Sequence, residues 1–148
     1  KTKNKTIIMG YTTDFDGQFD FNRKLTKKEL QAMETLYETR HEDGYTPNGK
    51  PSIWLQWIVE EYNDYHYLVW DGNEKFYNYI EWLEYLIKYF FKPNKLSITG
   101  RVRWRGEEFD DMGTINVEEN KVEIVEFVQA GLSRGRTINI HPTKLDNQ

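Results

Sequence analysis

The segment from Leu96 to Arg105 alternates between apolar and polar side chains, and this pattern limits the fold more than any other part of the chain. Apolar residues stand at 96, 98, 102 and 104, and arginines stand at 101, 103 and 105. Because side chains on a β-strand point alternately to its two faces, the segment predicts a strand with one buried and one basic face. We therefore expect a sheet covered on one side only, with Arg101, Arg103 and Arg105 on the uncovered side.

Two helices are predicted to cover that sheet. Residues 74–91 carry large apolar side chains at helical spacing and should form the centre of the core. These side chains are Phe76, Ile80, Leu83, Ile87 and Phe90. An earlier helix is predicted to begin after Thr26 and to run to about Arg40, because Thr26 and Glu29 have the spacing of a capping box.

The remaining apolar segments are short and are bounded by turn residues, as strands are. They lie at residues 6–21, 53–60, 65–70, 114–117 and 121–125, and Asp16-Gly17 indicates a bend or a turn within the first. The order of the elements predicts an α+β fold in which both helices pack on one face of an antiparallel sheet. We expect a ferredoxin-like core with an added β-hairpin, and residues 137–140 either add an edge strand or stay mobile.

Composition limits the class of protein. A chain of 148 residues has the size of one domain, so residues 1–148 are predicted to form a single domain with 1–8 and 127–148 as extensions. The absence of cysteine excludes thiolate nucleophiles and cysteine-ligated metal sites. A net charge of -4 argues against a domain-wide surface for the phosphate backbone. No apolar run is long enough to cross a membrane, so we expect a cytoplasmic protein without membrane contact.

The arginine strand is the first candidate binding site. Arg101, Arg103 and Arg105 could grip a phosphate while aromatic residues on neighbouring strands stack a base. The residues predicted to join them are Trp54 and Gln56, or Tyr65 and Tyr67. In the alternative interpretation the arginines form ordinary cross-strand charge pairs, with Glu60, Glu118 or Glu123 as partners.

An acidic loop follows the arginine strand. Its carboxylates are Glu107, Glu108, Asp110 and Asp111. Converging carboxylates can bind a divalent cation, but this spacing matches no known calcium loop. The other interpretation is an acidic turn in which Asp111 accepts backbone hydrogen bonds. We predict no metal and no cofactor, and we consider the loop a contact for a partner.

No catalytic constellation can be assembled from the sequence. His66 stands in a strand between two tyrosines, where it is either a general base or a hydrogen-bonded surface residue. No serine has the context of a nucleophile elbow, and no glycine-rich phosphate loop is present. The residues therefore do not support an enzyme.

Several segments together resemble a family of small uncharacterised proteins found in phages and bacteria. The resemblance spans roughly residues 9–125 and rests on Met9–Phe15, Pro51–Trp57, Trp70–Tyr77, Glu81–Leu83 and Gly106–Gly113. That family has no established activity, so the resemblance implies a phage or bacterial setting and assigns no catalytic residue.

Two functions remain. The first is a non-enzymatic binding protein that engages a protein partner through the open sheet face and the acidic loop. In a phage setting this would be an inhibitor of a host protein system. The alternative is binding of a nucleotide or single-stranded nucleic acid through the arginines and aromatic rings. The sequence does not indicate an oligomeric state.

Overall fold

The computed structural model describes residues 10–41, 50–130 and 134–142, which form two helices and a seven-stranded antiparallel sheet. The strands are β1 (Asp14–Phe21), β2 (Trp57–Tyr62), β3 (Tyr65–Trp70), β4 (Ile98–Arg105), β5 (Met112–Glu118), β6 (Lys121–Ala130) and β7 (Arg134–Pro142). The helices are α1 (Lys27–Glu38) and α2 (Tyr79–Leu86). The predicted α+β class and the antiparallel sheet are confirmed.

The strands lie in the order β2-β3-β1-β4-β5-β6-β7. Helix α1 connects β1 to β2 across the intervening β3, and helix α2 connects β3 to β4 across β1. Three further strands then extend the sheet beyond β4. The sheet is therefore larger than the four strands and one hairpin of the predicted core, because β6 is long and its backbone pairs with β7.

β1 continues through Asp16-Gly17 with unbroken pairing to β4, so a single strand is confirmed at this point and a hairpin turn is wrong. Gly17 has a φ of +117°, a conformation that L side chains rarely adopt. A Cβ on Gly17 would stand 2.3 Å from the carbonyl oxygen of Arg101. The glycine is thus required for the close approach of β4 and does not end the strand.

One face of the sheet forms the core together with both helices. Strands supply Phe19, Phe21, Leu68, Ile98, Val102 and Ile115, and the helical segments supply Met33, Trp82, Leu83, Leu86 and Ile87, all buried in one cluster. Phe15 fixes one end of this cluster, with its ring 4.9 Å from Tyr79 and 5.6 Å from Trp57 between centroids. The helices therefore lie on one side of the sheet and leave the other side open.

Capping hydrogen bonds and backbone angles determine where each helix begins. Thr26 and Glu29 form the predicted capping box, and Leu25 beside them is buried. Helix α2 begins five residues later than predicted, at Tyr79, because Lys75 and Asn78 adopt positive φ angles of 65° and 56°. It continues as a π-helical segment, Ile87–Phe91, and a 3₁₀ turn, Lys92–Asn94.

Parts of both chain ends lie outside the described residues. Residues 1–9 lie outside the described residues, whereas the backbone of residues 134–142 forms edge strand β7. No helix in the described ranges has the length and apolar character needed to span a membrane.

Candidate functional site

The open face is the side of the sheet opposite the helices, and there an acidic strand lies beside a basic one. The register pairs Asp14 with Arg105, Asp16 with Arg103 and Gln18 with Arg101, and all six residues are exposed. The apolar residues of β4 point the other way and are buried. The predicted orientation of the three arginines is therefore confirmed.

The arginines already have neighbours that satisfy part of their hydrogen-bonding capacity. Arg103 forms an ion pair with Asp16 at 2.5 Å, and both side chains stay largely exposed. Arg101 donates from Nε to the Oδ1 of Asn116 at 3.1 Å, and Arg105 donates to the sulfur of Met112 at 3.7 Å. The charge-pair interpretation thus holds for Arg103, but with Asp16 as its partner. The predicted partners are wrong: Glu60 and Glu123 lie on β2 and β6, which do not flank β4, and Glu118 lies at the end of β5, beyond the positions opposite the arginines.

The predicted aromatic partners do not lie beside the arginines. Trp54 precedes β2 and is 45% exposed, far along the sheet order from β4. Gln56 is buried, and its amide nitrogen donates to the carbonyls of Glu74 and Lys75 at 3.2 and 3.4 Å. Tyr65 and Tyr67 lie on β3, which β1 separates from β4. The predicted surface of neighbouring arginines and stacked rings is therefore not assembled.

Tyr65 and Tyr67 instead belong to a different group on the open face. We call Tyr62, Tyr65, Tyr67, Asp20 and Glu60 the tyrosine-acid patch. The register places Tyr67 between Glu60 of β2 and Asp20 of β1, and it pairs Tyr62 with Tyr65 in the adjacent position. Cross-strand neighbours of this kind have Cβ atoms about 5 Å apart, so the side chains form one continuous surface.

The patch is exposed and grooved. Tyr62 and Tyr65 are 68% and 71% exposed, and the neighbouring groove has a volume of about 340 Å³. Gln18, Asp20 and Phe21 line it together with the tyrosines Tyr62, Tyr65 and Tyr67. The sequence prediction missed Tyr62, Asp20 and Glu60. The sequence signal for this pairing is Asn63-Asp64, which forms a two-residue turn with φ angles of 49° and 69°. A turn of that length makes the flanking residues Tyr62 and Tyr65 cross-strand partners.

The acidic loop has a structural role, because its side chains hold it to the segment before β1 by hydrogen bonds. Asp111 accepts hydrogen bonds from the hydroxyl of Tyr11 at 2.6 Å and from Nε1 of Trp104 at 2.9 Å. The carboxylate of Glu107 accepts from the backbone N–H of Thr12 at 2.6 Å, and the N–H of Glu108 donates to the Tyr11 oxygen at 3.1 Å. The loop therefore ties the segment before β1 to the end of β4, while Asp110 and the neighbouring Phe109 remain exposed. The expected backbone donors to Asp111 are wrong, because side chains donate to it.

The environment of Tyr11 beside this loop changes the pKa of its phenol. Burial raises the pKa of the Tyr11 phenol to about 12, and its hydrogen bond to Asp111 acts in the same direction. The phenol consequently stays protonated near neutral pH and continues to donate to Asp111. The pair holds the loop in place.

His66 is a structural residue. It is buried, and its Nδ1 accepts a hydrogen bond from the backbone N–H of Leu25 at 2.8 Å. The proton of the neutral ring therefore sits on Nε2, which lies 3.4 Å from the Glu61 carboxylate. A general-base role for His66 is wrong because the acceptor nitrogen is already used inside the fold.

Within the described residues, no group of three or more histidine and acidic side chains is placed to hold a metal ion. The comparisons with known proteins add no relative: no family model, no curated protein and no solved structure matches this chain.

Proposed function

We propose that this domain is a non-enzymatic binding module that engages a protein partner through the open face. The observation that carries the proposal is the exposed register of Asp14, Asp16 and Gln18 against the arginines of β4. Arginine and tyrosine are both enriched in surfaces that contact proteins, and this face presents both. The helices cover the opposite side, so the open face is free for a partner.

The charge arrangement favours a protein over a nucleic acid. A phosphate backbone requires a continuous positive strip, since its binding depends on neutralising many phosphates at once. Here the acidic residues of β1 lie next to the basic residues of β4, and Asp16 already neutralises Arg103. A partner with its own alternating charges would match such a face and gain orientation from it.

The acidic loop supports a second contact at the end of β4. Three of its residues hold the loop in place, so its tip is ordered before any partner binds. The exposed ring of Phe109 and the carboxylate of Asp110 stand at this tip. A pre-ordered apolar and acidic tip lowers the entropy cost of association.

Binding of a nucleotide or single-stranded nucleic acid is the second candidate. The observation that favours it is the alternate spacing of three exposed guanidinium groups along one strand. A phosphate would have to displace Asp16 from Arg103, and no aromatic ring lies on either strand beside β4 at the arginine positions. A thermal-shift screen with nucleotides and oligonucleotides separates the two functions, because selective binding to the folded state raises the unfolding midpoint.

Two finer points complete the proposal. The resemblance to phage and bacterial proteins supports an inhibitor of a host protein system as the biological role.

The order β4-β1-β3-β2, with a helix joining β1 to β2 and another joining β3 to β4, supports a ferredoxin-like core to which β5, β6 and β7 are added.

The proposed function is tested by affinity capture from bacterial lysate with a matched pair of variants. Arg103→Glu changes the open face, and Lys28→Glu makes the same change in net charge on exposed helix α1. We expect a captured protein to be lost with Arg103→Glu and retained with Lys28→Glu. Equal capture by both variants would contradict a binding surface on the open face, and a thermal shift with an oligonucleotide would favour the second candidate.

A further inference from the structure

We propose that the tyrosine-acid patch is the subsite that receives an arginine or lysine side chain of the protein partner. The inference rests on the proposed function, and it names the chemistry of the group that the partner inserts. Its basis is the strand register, which places Tyr67 between Asp20 and Glu60 and pairs Tyr62 with Tyr65 at one end of the open face.

The carboxylates of the patch are available to a cation. Among the described residues neither Asp20 nor Glu60 forms an ion pair, and Asp20 accepts only the side-chain amide of Gln18, at 2.9 Å. Lys24 pairs at 3.5 Å with Glu61 and with Asp64, neither of which belongs to the patch. This end of the sheet therefore carries an excess of negative charge.

The tyrosines supply the second half of the recognition. A cation over the face of an aromatic ring is attracted by the ring quadrupole, and arginine makes such contacts most often. Tyr67 stands between the two carboxylates in the register, so a cation over its ring lies within reach of both. Tyr62 and Tyr65, both strongly exposed, border the same groove.

The position of the patch also fits the charge pattern of the whole face. Toward β4 the open face becomes basic, with Arg101 beside Gln18. A partner that places a basic residue on the patch and an acidic residue toward the arginines would be fixed in one orientation. Charge complementarity of this kind sets the register of an interface more than its affinity.

The direct test is a titration followed by amide chemical shifts at low salt. The probe is the peptide acetyl-Gly-Gly-Arg-Gly-Gly-amide, and its control is the same peptide with neutral citrulline in place of arginine. We expect saturable shifts centred on Asp20, Tyr65 and Tyr67 with the arginine peptide only. Equal shifts with the citrulline peptide, or shifts centred elsewhere, would overturn the inference.

Variants give the same test from the protein side. Tyr65→Ala should weaken the arginine peptide about two- to fivefold, as expected for one exposed cation–π contact. Tyr89→Ala, which removes a tyrosine of similar exposure from the helical side of the protein, should leave binding unchanged. Asp20→Asn combined with Glu60→Gln should abolish the salt-sensitive part of the binding. Loss of binding with Tyr89→Ala, or no loss with the patch variants, would count against the site.

Failure of the inference can be told apart from failure of the proposed function. If Asp20→Asn/Glu60→Gln still captures the partner that Arg103→Glu loses, the open face binds a protein but the patch does not receive a basic side chain. If the arginine peptide binds the patch while capture is insensitive to Arg103→Glu, the cation subsite stands and the wider binding face is wrong.

Discussion

Asp16 of β1 and Arg103 of β4 form an ion pair across the open face, with 76% and 66% of their side chains exposed. An ion pair in such contact with water contributes less than about 1 kcal/mol to folding. It lies where the backbone pairing sets an acidic strand beside a basic one, on a surface that the helices do not cover. Each group can leave the ion pair and bind an opposite charge on a partner, and the stability of the fold would change little.

We therefore expect Arg103→Glu to change the free energy of unfolding by no more than about 1 kcal/mol, even with two acids then facing each other. Urea unfolding of the variant and of Arg103→Lys measures this. A loss above about 2 kcal/mol would mean that the arginine is part of the folding core of the protein and not a free binding group.

Asp111→Ala should be much more harmful. It removes the acceptor for both the Tyr11 hydroxyl and the Trp104 indole, and hydrogen bonds to a charged group contribute about 1.5–3 kcal/mol each. We expect a loss of about 2–4 kcal/mol in urea unfolding, given that the site is only partly buried. Asp110→Ala on the same loop is the control and should have no measurable effect. Similar losses of stability for both variants would contradict the role of Asp111 in holding the loop in place.

The capping box of α1 predicts a pH-dependent stability. The Arg23 guanidinium, through its hydrogen bonds, lowers the pKa of the Glu29 carboxyl to about 2, from 4.5 without these contacts. The stabilisation is complete above pH 4.5 and is lost as the pH falls toward 2, because the folded state then binds a proton less readily than the unfolded state.

Glu29→Gln tests this relation, because glutamine keeps the capping geometry and removes the charge. We expect the variant to be less stable by about 1 kcal/mol at pH 7 and nearly equal to the wild type near pH 2. Glu34→Gln, at an exposed position on the same helix, should show no such convergence. A stability difference that does not change with pH would contradict the assigned role of the Glu29 charge.

Gly113→Ala tests the packing behind the open face. A Cβ on Gly113 would stand 2.4 Å from both the Trp104 ring and the carbonyl oxygen of Val125, so the indole and the backbone of β6 must both move. We expect a loss of about 1–3 kcal/mol, the usual cost of overpacking, measured by thermal or urea unfolding. Gly10→Ala, with no atom within 4 Å of the added Cβ, is the matched control. No effect at Gly113 would contradict tight packing of this position against Trp104 and β6.

Local patterns predicted the elements well because they depend on near neighbours. Strand β3 has its predicted bounds, the arginine parity of β4 is correct, and Thr26 caps α1 as expected. Each of these follows from side-chain alternation or from hydrogen bonds within one turn of chain.

The candidate site was harder to predict because it depends on which strands are neighbours. β1 lies between β3 and β4, so the tyrosines meet Asp20 and not the arginines. Gln56 has the residue type of a surface position, yet it is buried with its amide bonded to two carbonyls. No local period encodes either arrangement, since both result from the packing of distant segments.

Site-specific photo-cross-linking tests the central claim most directly. A photoreactive residue is placed at Gln18 on the open face, or at Lys28 on exposed helix α1, and the protein is irradiated with its captured partner. We predict a discrete adduct from position 18 that disappears when Arg103→Glu is added, and none from position 28. An adduct from position 28 without one from position 18 would show that the partner binds the helical side and would contradict binding through the open face.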